Sequence, residues 1–284
     1  MAASREDFFM IKLIASDVDG TLVVDGSSSL HPELYEVIHK LKEQGIAFAG
    51  ASGRPVGSMK HIFGPVLEDV YLIAGNGYYL DYEGKKKFFT DFDKRLAAQI
   101  AEDMYAAGMQ VMFDAADCVY TQSKDQKFID WIEKGYRNKV VQVENILELD
   151  DTILKVAGCI MDGVPEEVAE FLKEKYGKQC KVTFAGHQWV DVFDPALSKG
   201  VALKTLQEEL GILPEETMVF GDQMNDMEML EQAYYSFAVA NARAEVKEAA
   251  RFMADSNVNQ GPLKILKLLL EANFCELGAK CDRI

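Results

Sequence analysis

The chain has 284 residues and a formal net charge of −16, with 49% hydrophobic and 27% charged residues. These values predict an ordinary globular protein of one large or two medium domains, and no apolar run is long enough to span a bilayer. The charge argues against nonspecific nucleic-acid binding but allows small anionic substrates, because a bound divalent cation can reverse the local potential of an acidic site.

Short apolar runs alternate with amphipathic runs, which is the pattern of a parallel α/β sheet. In the first part of the chain the predicted elements are strand 11–16, helix 32–44, strand 46–50 and strand 70–74. From 82 to 190 the chain is richer in aromatic and charged residues, and this segment opens with the basic turn Gly84-Lys85-Lys86-Lys87. We interpret 82–190 as an inserted α+β domain.

The predicted helices and strands follow a different order in the insertion and in the last part of the chain. In the insertion the predicted elements are helix 94–107, strands 110–113, 118–121 and 153–161, helix 165–176 and strand 179–184. In the last part they are helix 199–210, strand 217–220, helix 227–233, strand 237–240, helix 244–250 and a terminal helix 262–272. The predicted fold is therefore α/β, with a doubly wound, Rossmann-like parallel sheet formed by 1–81 and 191–284 and interrupted by the insertion.

The start of the chain and its cysteines predict a cytoplasmic protein. Residues 1–10 lack the basic start and longer apolar stretch of a signal peptide. The five cysteines are odd in number, scattered and without a Cys-x-x-Cys spacing, so we expect reduced thiols. They are Cys118, Cys159, Cys180, Cys275 and Cys281. Oligomeric state is not indicated.

Two carboxylates, Asp17 and Asp19, follow the first predicted strand, and Gly20 comes next. Ligands of open α/β sheets bind at the carboxyl ends of the strands, where this pair falls. A metal ion is the simplest compensation for two carboxylates beside an apolar core. The alternative is an Asp-rich turn, since Asp and Gly favour turns for local reasons.

A second acidic cluster follows the predicted strand 217–220 and contains Asp222, Asn225 and Asp226. In a parallel sheet this cluster would share an edge with Asp17 and Asp19, within reach of one hard cation. Asp226 alone has another explanation, because a carboxylate in the first turn of a helix is favoured by the helix dipole.

Two more segments could bind an anion. Lys199 opens a predicted helix, where its charge opposes the dipole unless an anion lies nearby, although a lone lysine is usually a solvated surface residue. Ser52 and Gly53 follow the strand 46–50, and a serine hydroxyl with free backbone N–H groups can hold phosphate oxygens. Taken alone, that segment is only a turn.

Together the four segments resemble the haloacid dehalogenase superfamily of phosphohydrolases, specifically its Cof-like branch with a large cap inserted between the second and third motifs. They run in the order Asp-x-Asp-Gly-Thr, Ser-Gly-Arg, a helix-opening Lys, and Gly-Asp-x-x-Asn-Asp. Residues 11 to about 262 fit this layout, and Asn76-Gly77 is a further stretch typical of the branch.

The resemblance implies a role for each residue. Asp17 would be the nucleophile that forms an aspartyl-phosphate, and Asp19 the acid and base. Mg²⁺ would be held by the carboxylates of Asp17 and Asp222 and the backbone carbonyl of Asp19. Lys199 would neutralise the phosphoryl oxygens.

The remaining motif residues would assist that chemistry. Ser52 with Gly53, and Asn225, would hold the phosphate, and Asp226 would orient Lys199 or a metal-bound water. Related ATP-driven pumps carry Thr in place of Asp19, so the aspartate favours a phosphatase. In the cap, His187, Trp189 and Lys124 could contact a substrate, although a Trp in an apolar strand is more often a core residue.

The sequence thus predicts a Mg²⁺-dependent phosphatase of small phosphorylated metabolites such as sugar phosphates or flavin-precursor phosphates. Two alternatives stay open at this point. A phosphotransferase or phosphomutase would use the same Asp17 and Asp19 but pass the phosphoryl group to a sugar hydroxyl. A noncatalytic binding protein would keep the fold without the activity.

Overall fold

The computed structural model describes residues 10–24, 27–185 and 187–271. Three predictions fall wholly or partly outside these ranges. They are the interpretation of residues 1–10, the reduced thiols of Cys275 and Cys281, and the end of the terminal helix at Ala272. The described cysteines are free thiols: Cys118, Cys159 and Cys180. Within the described ranges, every helix is too short or too polar to cross a bilayer.

The described residues alternate strands and helices along much of the chain. The strands are β1 (Leu13–Asp17), β2 (Ala47–Ala51), β3 (Val70–Ala74), β4 (Tyr79–Tyr82), β5 (Lys85–Phe88), β6 (Gln110–Asp114), β7 (Val119–Thr121), β8 (Val140–Gln142), β9 (Lys155–Cys159), β10 (Lys181–Ala185), β11 (Trp189–Phe193), β12 (Thr217–Gly221), β13 (Tyr235–Val239) and β14 (Phe252–Ala254). The α-helices are α1 (Pro32–Glu43), α2 (Val56–Ile62), α3 (Lys94–Ala106), α4 (Gln126–Gly135), α5 (Glu166–Tyr176), α6 (Lys199–Leu210), α7 (Met227–Glu231), α8 (Ala244–Ala249) and α9 (Gly261–Glu271).

The larger sheet has eight strands in the order β14-β13-β12-β1-β2-β3-β4-β5. The strands from β14 to β3 pair in parallel, and β4 and β5 add an antiparallel hairpin at one edge. Every residue of β1 is buried, as expected for a central strand covered on both faces. The predicted α/β class with a parallel sheet is confirmed. We call this part the core.

The second sheet has six strands in the order β10-β11-β9-β6-β7-β8 and is antiparallel except for the pair β7 and β8. Two hydrophobic clusters of this part are separate from that of the core, and the larger one includes buried residues of α3 and α5. We call the segment Lys94–Phe193 the cap. The predicted α+β insertion is therefore present as a second sheet with its own helices.

The insertion begins and ends later than predicted. Tyr82 ends β4, and β5 still pairs with β4 in the core sheet. Val190 lies inside β11, which pairs with β9 and β10 in the cap sheet. The chain therefore crosses between the sheets after Phe88 and after Phe193, so the boundaries at 82 and 190 are corrected accordingly.

Two elements that the sequence analysis missed have clear physical origins. The segment predicted as a basic turn is strand β5, whose lysines lie at a sheet edge, where charged side chains oppose pairing with other chains. Helix α4 buries Phe128, Ile129 and Ile132 along one face, at the spacing of an amphipathic helix.

Candidate active site

The parallel register of the core brings the predicted acidic residues to one edge. Leu13 of β1 pairs with Thr217 of β12, so the two strands end side by side. Asp17 is the last residue of β1, and Asp222 directly follows β12. Oxygen atoms of Asp17, Asp222 and Asp226 lie within 4.8 Å of one another, and all three residues are buried. Asp17 and Asp222 are thus brought together as expected, and Asp226 joins them.

Lys199 lies among these carboxylates and is only 1% exposed, so the surface-lysine interpretation is wrong. Ser198 caps α6 by accepting a hydrogen bond from Val201 N, which directs the first residue of the helix toward the sheet edge. Lys199 Nζ donates to Asp17 Oδ1 at 2.5 Å and to Asp226 Oδ1 at 2.7 Å. Burial alone would lower the pKa of this ammonium, but the charges of Asp17 and Asp226 outweigh burial and raise the pKa, so the group stays protonated.

Three buried carboxylates around one ammonium leave surplus negative charge. Burial raises the pKa of Asp17 well above its usual range, although the Lys199 charge opposes the shift. Burial and the neighbouring Asp226 raise the pKa of Asp222 to about 7. A divalent cation would compensate this charge, and carboxylate oxygens are the donors that Mg²⁺ prefers. The residues therefore fit a hard divalent cation.

The turn after β1 packs tightly against this cluster. Gly20 has a φ of +79°, and a Cβ added there would lie 2.4 Å from Asp222 Oδ2. Thr21 Oγ1 donates a hydrogen bond of 2.8 Å to Asp222 Oδ1. Glycine is thus required both for the backbone conformation and for space, and Thr21 fixes the orientation of Asp222.

The Asp19 side chain contacts Arg54. Arg54 Nε donates to Asp19 Oδ2 and Nη2 to Asp19 Oδ1, both at 2.6 Å. Arg54 is 5% exposed, and its Nη2 also donates to the carbonyl of Ser27 at 2.8 Å. Sequence reasoning assigned no role to Arg54, although it directly follows Ser52 and Gly53 in the same turn.

The predicted phosphate-binding residues line a shared cavity of about 120 Å³ between core and cap. Ser52 Oγ accepts a hydrogen bond of 3.1 Å from Arg54 N, which shapes the turn after β2. Asn225 Nδ2 donates to Asn76 Oδ1 at 2.8 Å. The core residues that line the cavity include Asp17, Asp19, Ser52, Gly53, Arg54 and Asn225.

The cap reaches the same cavity through a second buried lysine that sequence reasoning missed. Lys155 Nζ donates to the carbonyl of Gly53 at 2.9 Å and lies 3.1 Å from Asp191 Oδ2 and 3.3 Å from Asp114 Oδ2. The signal available in the sequence was a pair of charged residues, Lys155 and Asp191, within otherwise apolar strands. This cluster connects the cap to the turn that carries Ser52.

Of the three cap candidates, His187 and Trp189 line the cavity. The Lys124 side chain is 81% exposed and lies 3.8 Å from Glu144, and Lys124 is not among the cavity-lining residues. The structure therefore does not place Lys124 at this cavity. Tyr136, from the end of α4, also lines the cavity and lies over Arg54.

Comparisons with known proteins give three kinds of match. Residues 14–266 match a family model described as haloacid dehalogenase-like hydrolase. The chain is 30% identical over 262 residues to 5-amino-6-(5-phospho-D-ribitylamino)uracil phosphatase YbjI of Escherichia coli strain K12, covering 92% of this chain and 97% of that protein. It is 30% identical over 241 residues to HMP-PP phosphatase of Citrobacter koseri, covering 84% and 87%. A crystal structure of a protein from Eubacterium rectale matches with a TM-score of 0.78 and 31% identity, covering 91% of this chain and 99% of that one.

Proposed function

Because the chain belongs to the haloacid dehalogenase-like hydrolases, we propose that it is a Mg²⁺-dependent phosphatase of small phosphorylated metabolites that works through an aspartyl-phosphate on Asp17. The family prediction made from the four motifs is confirmed. The observation that carries the proposed mechanism is the buried contact of Asp17 with Lys199 at the edge of a cavity.

Asp17 is the proposed nucleophile. One of its oxygens attacks phosphorus while the bond from phosphorus to the leaving oxygen breaks. The attack needs an ionised carboxylate, and burial opposes ionisation. The Lys199 ammonium at 2.5 Å offsets that cost and stays close to the phosphoryl oxygens where charge develops.

Asp19 is the proposed acid and base. It gives a proton to the departing alkoxide and then removes one from the water that attacks the aspartyl-phosphate. Arg54 contacts both Asp19 oxygens, so it fixes their position and stabilises the carboxylate that remains after the proton has left. Arg54 acts through Asp19 and is a positioning residue.

Mg²⁺ would be held by the carboxylates of Asp17 and Asp222 and the backbone carbonyl of Asp19. When bound, it would neutralise charge on the phosphoryl oxygens. Asp226 supports the cluster, because its oxygens accept from Lys199 Nζ and from the backbone N–H groups of Asp222 and Gln223. Ser52, Gly53 and Asn225 line the cavity beside Asp17 and would hold the phosphate.

The substrate is a small phosphorylated metabolite. This assignment rests on the relatives, which are named for phosphorylated small molecules, and on the limited cavity between core and cap. The proposed compartment is the cytoplasm, in agreement with the free thiols of the described cysteines.

A phosphate-release assay tests the proposal. Purified protein is incubated with a panel of phosphorylated metabolites and p-nitrophenyl phosphate, in Mg²⁺ and in EDTA, and free phosphate is measured. We expect release only with Mg²⁺. Asp17→Asn should abolish release, whereas Asp117→Asn, a matched change at an exposed residue, should leave it unchanged. Metal-independent release, or equal release by Asp17→Asn, would refute the mechanism, and analysis of products distinguishes hydrolysis from transfer to a sugar.

A further inference from the structure

A buried asparagine with an unusual backbone conformation lies between the two segments proposed to hold the phosphate. Asn76 comes shortly after β3 and is 1% exposed. Its φ is +58°, in the left-handed region that residues other than glycine rarely adopt and that asparagine tolerates better than most. Such conformations cost free energy and cluster at functional sites. The backbone of Asn76 therefore indicates a functional role.

The Asn76 side chain is hydrogen-bonded at both ends. Its Nδ2 donates to Asp191 Oδ2 of the cap at 2.8 Å, and its Oδ1 accepts from Asn225 Nδ2 at 2.8 Å. Asp191 pairs with the Lys155 ammonium, and a carboxylate only accepts hydrogen bonds, so the nitrogen of the Asn76 amide must face Asp191. The oxygen of that amide then faces Asn225. The cap carboxylate thus fixes which end of the Asn225 amide faces Asn76.

The main chain of Asn76 contacts the other segment proposed to hold the phosphate. Asn76 N donates to the carbonyl of Ser52 at 2.9 Å. Lys155, which lies 3.1 Å from Asp191, donates to the carbonyl of Gly53 at 2.9 Å. One network of polar contacts therefore joins core and cap residues around the cavity: Ser52, Gly53, Asn76, Lys155, Asp191 and Asn225.

Building on the proposed phosphate-binding role of Asn225, we propose that Asn76 is a positioning residue that orients Asn225 toward the phosphate and ties this orientation to the docked cap. The amide nitrogen of Asn225 carries two hydrogens. One is donated to Asn76, and because Asn225 lines the cavity, the other can be donated to a phosphate oxygen. Asn76 does not itself line the cavity and acts through Asn225.

This role has a signature that a purely structural role lacks. The phosphate group is common to all substrates of the proposed reaction. Loss of the Asn225 orientation should therefore weaken the binding of inorganic phosphate and lower kcat/KM by a similar factor for esters with different leaving groups. A change confined to stability would leave the phosphate affinity of the folded protein unchanged.

The test measures the dissociation constant of inorganic phosphate by calorimetry in Mg²⁺, together with kcat/KM for glucose 6-phosphate and p-nitrophenyl phosphate. Asn76→Gly removes the amide and keeps a residue that adopts the left-handed conformation without strain. It should weaken phosphate binding, and lower both kcat/KM values, by about twofold to tenfold, as expected for one hydrogen bond. Asn76→Ser has a hydroxyl too short to reach both partners and should cause a similar loss.

A double-mutant cycle shows whether Asn76 acts through Asn225. Asn225→Ala should weaken phosphate binding at least as much as Asn76→Gly does. In the Asn225→Ala background, Asn76→Gly should change the dissociation constant less than about twofold, because the group that it positions is gone. Losses that multiply in the double variant would overturn the positioning role.

Glu83→Gly is the matched control, since Glu83 also has a left-handed φ, of +48°, and is exposed outside this cavity. Thermal unfolding of each variant verifies that it folds. Wild-type phosphate affinity in folded Asn76→Gly or Asn76→Ser would contradict the proposal. Failure of the wild type to hydrolyse either ester would instead refute the proposed phosphatase, whereas calorimetry tests the role of Asn76 without turnover.

Discussion

Two buried lysines of this protein are each held by two aspartates, one pair in the core and one at the base of the cap. Lys199 contacts Asp17 and Asp226 at the carboxyl edge of the core sheet. Lys155 contacts Asp114 and Asp191 on the cap sheet. Both ammonium groups are almost fully buried.

We call the group around Lys199 the core cluster and the group around Lys155 the cap cluster. The two clusters differ in how their negative charges are compensated. Around Lys155, the hydroxyl of Tyr78 donates to Asp114 and Asn76 Nδ2 donates to Asp191, so groups of the chain itself offset the second carboxylate. Around Lys199, a third carboxylate, Asp222, increases the surplus negative charge. The comparison teaches that a cluster with donors of its own on each carboxylate can join two parts of a molecule, even though Asp114 Oδ1 is buried without a hydrogen-bond partner among the described residues, whereas one with a third carboxylate is suited to a ligand.

The largest expected effect is a loss of activity on substitution in the core cluster. Asp17→Asn should lower phosphate release at least about 10⁴-fold, because an amide cannot form the aspartyl-phosphate. Lys199 keeps its contact with Asp226, so the midpoint of thermal unfolding should change little. The two measurements are phosphate release and thermal unfolding. Activity within tenfold of wild type would remove Asp17 from its proposed role.

Breaking the cap cluster should chiefly affect stability. Lys155→Met leaves Asp114 and Asp191 buried without a cation and should lower the free energy of unfolding by about 3–5 kcal/mol. Denaturant unfolding followed by circular dichroism measures this change. Lys134→Met is the matched control, because Lys134 is 72% exposed and pairs with Asp130 on the surface. Equal stability of the two variants would contradict the joining role of Lys155.

Binding of Mg²⁺ should raise the stability of the protein through the core cluster and not through the cap cluster. At a concentration of one hundred times its dissociation constant, Mg²⁺ should add about 2.7 kcal/mol to the free energy of unfolding. The rise in melting temperature should disappear in EDTA and in Asp222→Asn, and it should persist in Lys155→Met. An undiminished rise in Asp222→Asn would place the cation elsewhere.

The smallest expected effect concerns a single donor of the cap cluster. Tyr78→Phe removes the hydrogen bond of 3.1 Å to Asp114 Oδ2 and should cost about 1 kcal/mol of stability. The Mg²⁺-dependent rise in melting temperature should be the same as in wild type. A variant that lost this rise would show that the two clusters are not independent.

The core and its motifs were predictable because each depends on local pattern. The bounds predicted for 70–74 and 199–210 agree with β3 and α6. Asp17 ends one buried parallel strand and Asp222 follows its neighbour, so topology alone places them at one edge. The surroundings of Lys199 could be expected once that edge was recognised.

The contacts between cap and core could not be predicted in the same way. Lys155 reaches Gly53, and Asn76 reaches Asp191, across segments that are far apart in the chain. Such pairs depend on how two sheets dock, which strand and helix periodicity does not encode. Arg54 was missed for another reason, because its partner Asp19 lies in a different turn.

The arrangement of the two sheets also has a consequence for biosynthesis. The cap sheet uses only strands from Gln110–Phe193, so all of them have been translated before β12 appears. The central strand β1 must wait for β12, which completes the pairing of Leu13 with Thr217. We therefore expect a nascent chain on the ribosome to protect its cap amides from hydrogen exchange first, with the phosphatase site assembling only after β12 has been synthesised.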